Sequence, residues 1–179
     1  DGTAGFSLDI GNPKRLVFAE APIDLMSYYE LHKDELQDVK LVAMDGLKKS
    51  VISRYVADML TDGKYSQTMS SEQIRGALDA LNKTTNLLQE HPDMITLAVD
   101  NDEAGQNFVK GLQEDGIPVV SDLPPRKESQ TKMDWNDYLK QEAKPKESTV
   151  DETWNIDDIQ EQLSQESDLV GTQAVDVIY

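Results

Sequence analysis

Ile95-Thr-Leu-Ala-Val-Asp-Asn-Asp-Glu-Ala-Gly105 is the stretch on which the fold is decided. Its first five residues are mostly apolar and β-prone, as expected of a strand buried on both faces of a parallel sheet. Asp100 and Asp102 follow at the C-terminal end, where open α/β sheets place ligands, and a helix is expected from about Ala104. Carboxylates in such a place need a partner, because an unpaired buried charge is very costly. Hard oxygen ligands at this spacing suit a divalent cation, Mg2+ or Mn2+.

The same grammar recurs on either side. Arg15-Leu-Val-Phe-Ala-Glu20 is a strand of four apolar residues ending on a carboxylate. Pro22 suits the first position of a helix, where its missing N–H costs nothing. Leu25, Met26, Tyr28, Tyr29 and Leu31 give that helix an apolar face to about Lys33. Asp24 lies in its first turn, four residues after Glu20, so both acids can face one crevice. Val39-Lys-Leu-Val-Ala-Met44 is a second strand, closed by Asp45-Gly46. Helices are expected over about 50–60 and 70–90, separated by a loop at 61–66. Ser70 and Gln73 have capping-box spacing, and Leu78, Leu81, Thr85 and Leu88 form a helical stripe. After the 95–99 strand come a helix over about 104–114, a stop at Gly116 and a fourth short strand at 117–120. A polar loop at 121–132 carries Pro124, Pro125, Arg126, Lys127 and Lys132. Asp134-Trp-Asn-Asp-Tyr-Leu139 then turns into a short helix.

Strands alternating with helices predict an α/β fold: a compact, doubly wound, mainly parallel four-stranded sheet with a helical insertion at about 48–90. Residues 1–13 are Gly-rich and weakly patterned and read as an N-terminal arm. Residues 14–142 read as the domain, and 143–179 as an acidic tail or linker in which Ile156, Ile159 and Leu163 make one amphipathic turn or two. The chain opens Asp-Gly-Thr without an initiator Met and is expected to be a fragment or a processed product.

The formal net charge of the 179 residues is −17. Ten acids against two bases fall in 141–179. Such a balance argues against tight stand-alone binding to a phosphate backbone, which needs clustered Lys and Arg. If nucleic acid is the substrate, metal ions or another part of a parent protein must supply positive charge. Cysteine is absent, which removes disulfides and thiolate metal sites and fits a cytoplasmic setting. No apolar run reaches the length of a membrane span and no signal-peptide pattern opens the chain, so no membrane is expected as a partner.

Glu20, Asp24, Asp100, Asp102 and Asp134 are the candidate site residues. In a doubly wound sheet the C-terminal ends of neighbouring strands converge, and several acids gathered there cannot all ionise comfortably without cations between them. Such cations can clamp phosphate oxygens, and Glu20, if its pKa is raised, can serve as general acid or base.

Glu20-Ala-Pro-Ile-Asp24 after one strand and Asp100-Asn-Asp102-Glu-Ala-Gly105 after another together resemble the Toprim domain. This domain is shared by bacterial DNA primases, type IA and type II topoisomerases, overcoming-lysogenization-defect nucleases and RecR repair proteins. The resemblance covers roughly 14–142. Its pattern is a Glu after the first strand and an Asp-x-Asp after the third; primases add an Asp matching Asp24 and a late Lys-Asp-x-Asp turn matching Asp134. Met133 stands where primases usually place that Lys, and Asn136 replaces the second acid. With the long insertion and Asp-Trp-Asn-Asp-Tyr-Leu, the chain resembles the primase-like Toprim proteins of conjugative plasmids and integrative elements of Gram-positive bacteria. The resemblance implies Mg2+ or Mn2+ held by Glu20, Asp100 and Asp102, with Asp24 and Asp134 alongside. It implies nucleotidyl or phosphoryl transfer, with DNA or RNA and nucleotides reached through the parent protein. The alternatives are a non-catalytic module that recruits replication or transfer proteins, and a Toprim nuclease.

Blander readings compete at each position. A lone Asp-x-Asp is more often a solvated turn; here the strand before it and the upstream strand–Glu signal give it weight. A calcium loop from Asp100 fails, because Ala104 takes a ligand position and Gly111 the place of the closing Glu. A haloacid-dehalogenase-type phosphatase resembles the pattern only in part: it wants Thr or Val where Ala104 stands, and its Asp pair follows the first strand. Asp24 is evenly divided between the helix dipole and a metal, and Asp134 is favoured as a helix N-cap close to the metal. Asp45 reads as a solvated turn. Lys48, Lys49 and Arg54 read as a solvated helix face before a phosphate contact. Trp135 and Tyr138 read as packing residues, and His32 and His91 suggest no catalytic pairing.

Overall fold

The structure is a computed structural model that describes residues 2–144, 157 and 160–165. Backbone contacts divide the chain into 1–144 and 145–179. In the second unit residues 160–165 are helical with Leu163 exposed; Ile156 and Ile159 lie outside the described residues.

The first unit is built on a five-stranded sheet of order β1-β3-β2-β4-β5. Its strands are β1 (Phe6–Ile10), β2 (Arg15–Ala19), β3 (Val39–Ala43), β4 (Ile95–Leu97) and β5 (Val120–Ser121). Four parallel strands form, β2 pairing β3 on one side and β4 on the other, but the fourth is displaced: the strand expected at 117–120 starts only at Val120, with Pro118 and the buried Ile117 before it outside the ladder. The fifth was expected to be part of an arm. β1 joins antiparallel to β3, Leu8 opposite Leu41. As an edge strand it needs no continuous apolar run, and Phe6 is half exposed.

Seven helices connect the strands among the described residues: α1 (Pro22–His32), α2 (Lys49–Leu60), α3 (Lys64–Thr68), α4 (Ser71–Thr84), α5 (Leu87–Glu90), α6 (Glu103–Glu114) and α7 (Trp135–Ala143). The pleat sends alternate side chains of β2 to opposite cores. Leu16 and Phe18 pack with Ile52, Leu78, Val109 and Leu112 under α2, α4 and α6. Val17 and Ala19 pack with Leu25, Tyr28 and Trp135 under α1 and α7. Helices thus cover both faces, as double winding requires.

The insertion departs from expectation in two places. The loop expected at 61–66 contains α3, and the helix expected to run unbroken to residue 90 stops at Thr84. Thr85 is extended (φ −137°), while the hydroxyls of Thr84 and Thr85 donate back to the carbonyls of Ala80 and Leu81. β-Branched residues that bond the preceding turn are poor helix continuers. The capping box forms as its spacing predicts: Ser70 Oγ accepts from the Gln73 N–H, and Gln73 Oε1 from the Ser70 N–H. Buried Ser53 fastens α2 to α4, donating to the Ile74 carbonyl and accepting from the Leu78 N–H. No helix among the described residues is long and apolar enough to cross a membrane.

Candidate metal and nucleic-acid site

From central β2 the chain moves to β3 on one side and later to β4 on the other. The C-terminal ends of β2 and β4 therefore flank the topological switch point, where open α/β sheets bind ligands. Glu20 follows β2 and Asp100 follows β4 across this crevice.

The two meet directly. Glu20 Oε2 accepts a hydrogen bond from the Asp100 N–H at 3.1 Å. Asp102 begins α6, its Oδ1 accepting from the Gly105 N–H at 2.8 Å. Gly105 is glycine for a steric reason: a Cβ there would lie 2.0 Å from the Asp100 carbonyl oxygen. The first turn of α6 can sit against the strand end only without a side chain.

The late turn reaches the same place through its backbone. Asn101 and Met133 form an antiparallel bridge, with N–H to carbonyl distances of 2.8 and 3.1 Å. Met133, the residue that departs from the primase pattern, is buried and contributes main-chain hydrogen bonds there. Asp134 caps α7, accepting from the Asp137 N–H at 2.7 Å. Trp135 is buried, and its Nε1–H donates to the Ala98 carbonyl at 3.1 Å. Asp24, in the first turn of α1, is buried and accepts from the Asn136 N–H at 3.3 Å. The candidate acids are thus linked in pairs: Glu20 touches the backbone of Asp100, Asp102 follows two residues on, and Asp24 reaches the first turn of α7 that Asp134 caps.

Electrostatics show how closely they sit. Burial first, then the Asp100 carboxylate, push Glu20 up to about 7. Burial likewise pushes Asp24 up to about 6, with Asp100 and Asp134 adding repulsion against the opposing Asn136 N–H. A proton on Glu20 can be donated to Asp100; with Glu20 ionised, Asp100 Oδ1 is buried without a hydrogen-bond partner.

One member of the site carried no signal in the sequence. Lys132 Nζ lies 2.9 Å from Asp100 Oδ2 and 3.9 Å from Asp102 Oδ2. It stands in a polar loop beside other cations, and only the long-range Asn101–Met133 bridge brings it to the acids. Of the other residues weighed from sequence, Lys49 binds Asp79 and Asp115, Asp45 is exposed, and His32 stacks on Tyr28 with ring centroids 4.0 Å apart.

Among the described residues no group of three or more Asp, Glu, His or Cys side chains stands as a ready metal cage. The donor chemistry nevertheless fits a hard divalent cation: carboxylate oxygens, one of them buried without a partner, beside two acids that burial has pushed upward. In this arrangement Lys132 supplies the nearby positive charge.

A doubly wound α/β domain with acids gathered at its switch point is a recognisable class of phosphate-handling scaffold. The Toprim-like family model matches residues 17–139, and the chain belongs to that family. An uncharacterized protein of Bacillus anthracis, pXO2-78, is 34% identical over 151 residues, which is 80% of this chain and 37% of that protein. The chain thus spans little more than a third of the length of this curated relative. No solved structure gives a significant match.

Proposed function

We propose that this chain is the Toprim domain of a DNA primase-like protein of a mobile element, carrying Mg2+-dependent nucleotidyl or phosphoryl transfer on nucleic acid. The observation that supports it most is the contact of Glu20 with Asp100: an acid raised to about 7, held at 3.1 Å from the strand end that carries the Asp-x-Asp. Glu20, Asp100 and Asp102 would hold the cation, with Asp24 and Asp134 alongside. Bound there, Mg2+ or Mn2+ supplies the positive charge that stabilises phosphoryl oxygens as they develop charge. With no cation bound Glu20 is raised to about 7 by burial, and its place at the strand end suits it to take a proton from an attacking hydroxyl or return one to a leaving oxygen. Asp102 and Asp134 fix two helix starts while presenting charge to the crevice. Residues 14–142 are the working domain in this reading and 143–179 an acidic tail. A longer cytoplasmic parent supplies the basic surface for DNA or RNA and nucleotides.

The test is a titration of the full chain with Mg2+ and Mn2+. Saturable binding that Asp100→Ala with Asp102→Ala abolishes is expected; no binding at millimolar metal defeats the proposal. A second, non-catalytic reading, in which the domain recruits replication or transfer proteins, draws support from Asn136 in an acidic position and from Lys132 against the aspartates. Loss of polymerisation by the parent on Glu20→Gln would reject it; cleavage without polymerisation would indicate a nuclease.

A further inference from the structure

Lys132 and Asp100 are unequal partners. The Asp100 side chain is 9% exposed and fixed at the end of β4, whereas that of Lys132 is 53% exposed. A lysine head on a flexible four-carbon stem moves easily, while its root here is held next to the Met133–Asn101 bridge. Its neutralisation of the crevice is incomplete. One ammonium serves Asp100 and Asp102 with Glu20 and Asp24 nearby, contacts Asp100 through Oδ2 and leaves Oδ1 unpartnered. The stem also borders an open hollow of about 510 Å3 lined by Asp102, Glu103, Ala104, Asn107, Thr131 and Lys132, whose one cationic side chain is Lys132.

We propose that Lys132 is an exchangeable counter-ion: it balances Asp100 and Asp102 while the crevice holds no divalent cation, and on cation binding turns into the adjacent hollow to meet a phosphate of the nucleic acid. This rests on the metal reading above. An ammonium and a divalent ion compete for the same carboxylate oxygens, and the displaced ammonium carries its charge to where an incoming phosphate needs it. Lys132 is on this account both a brake on empty-site repulsion and a substrate-positioning residue.

Calorimetric titration of Mn2+ into the full chain, for wild type, Lys132→Met and Lys132→Arg, tests the exchange. Removing the competitor should tighten Mn2+ binding about tenfold in Lys132→Met, while Lys132→Arg stays near wild type. A single-stranded DNA oligonucleotide, titrated with Mg2+ present, should bind Lys132→Met more weakly, with a salt slope smaller by about 1. Lys132→Gln serves in place of Lys132→Met if the latter does not fold by thermal melting. Saturable wild-type Mn2+ binding with equal or weaker binding in the variant overturns the exchange alone. No Mn2+ binding in any of the proteins overturns the metal reading and the exchange with it. The titration is run at low ionic strength, where weak phosphate contacts are least screened; equal oligonucleotide affinity there, or none in either protein with Mg2+ saturating, overturns the phosphate contact.

Discussion

The molecule has two places where one lysine stands between acids, and they behave differently. Lys49, at the start of α2, lies 2.8 Å from Asp79 of α4 and 3.0 Å from Asp115 after α6. Both aspartates are around half exposed, and the cluster ties the start of α2 to the middle of α4 and the end of α6 over solvent. Lys132 instead faces Asp100, which is buried at a strand end with Glu20 and Asp24 close behind. Water reaches both carboxylates of the first cluster but not Asp100 in the second, although Lys132 itself is the more exposed of the two lysines. Matching geometry therefore makes a brace in one place and a charge-frustrated site in the other; depth and the surplus of acids decide which.

The largest effect should come from disturbing the frame of the buried cluster. Gly105→Ala forces a Cβ to within 2.0 Å of the Asp100 carbonyl and should cost about 3 kcal/mol or more by urea melting. In the same helix Gly111 has open space around it, so Gly111→Ala should stabilise by about 0.5–1 kcal/mol. A Gly105→Ala variant as stable as Gly111→Ala would mean that α6 does not depend on close contact with the strand end.

Next in size is a pH effect carried by Glu20 and Asp24. Their folded values, about 7 and about 6, lie above ordinary values of 4.5 and 3.8. The folded state therefore binds protons more tightly than the unfolded one. Stability is fully present below about pH 4 and is lost as pH rises through about 7, by on the order of 1–2 kcal/mol per group after allowance for solvent screening. Melting temperature of the metal-free chain should fall across this window, and Glu20→Gln should flatten much of the fall. A flat profile in the wild type would put the two acids in water and remove the contrast with the Lys49 cluster. Asp134→Ala should cost about 1 kcal/mol through the lost cap of α7, and Asp134→Ser should restore most of it. The smallest change is expected from Lys49→Met, about 0.5–1 kcal/mol by the same melts, with Mg2+ affinity unchanged. A shift in that affinity would couple the two clusters.

What the sequence revealed follows from what each element must satisfy. β2, β3 and β4 are buried on both faces and are apolar runs but for Arg15, Lys40 and Thr96, so they and the acids that end them were legible. β1 needs only one neighbour and half a buried face, and Phe6-Ser-Leu-Asp-Ile10 carries no such run. The break after Thr84 was hidden because the leucine stripe continues in phase through Leu88, which is buried on α5. At the site, the five acids could be nominated because strand ends converge by topology. Lys132 could not, since its place depends on two backbone hydrogen bonds across some thirty residues of chain.

Those two bonds between Asn101 and Met133 separate placement from chemistry. Because these peptide groups, with the Trp135 indole on the Ala98 carbonyl, clasp the late turn to the strand end, residues 132, 134 and 136 can exchange charge without the turn letting go. Relatives that differ there are thus expected to share a scaffold while differing in how their crevice handles ions, and grafting those three side chains from one to another should transfer the ion preference with the backbone left as it was.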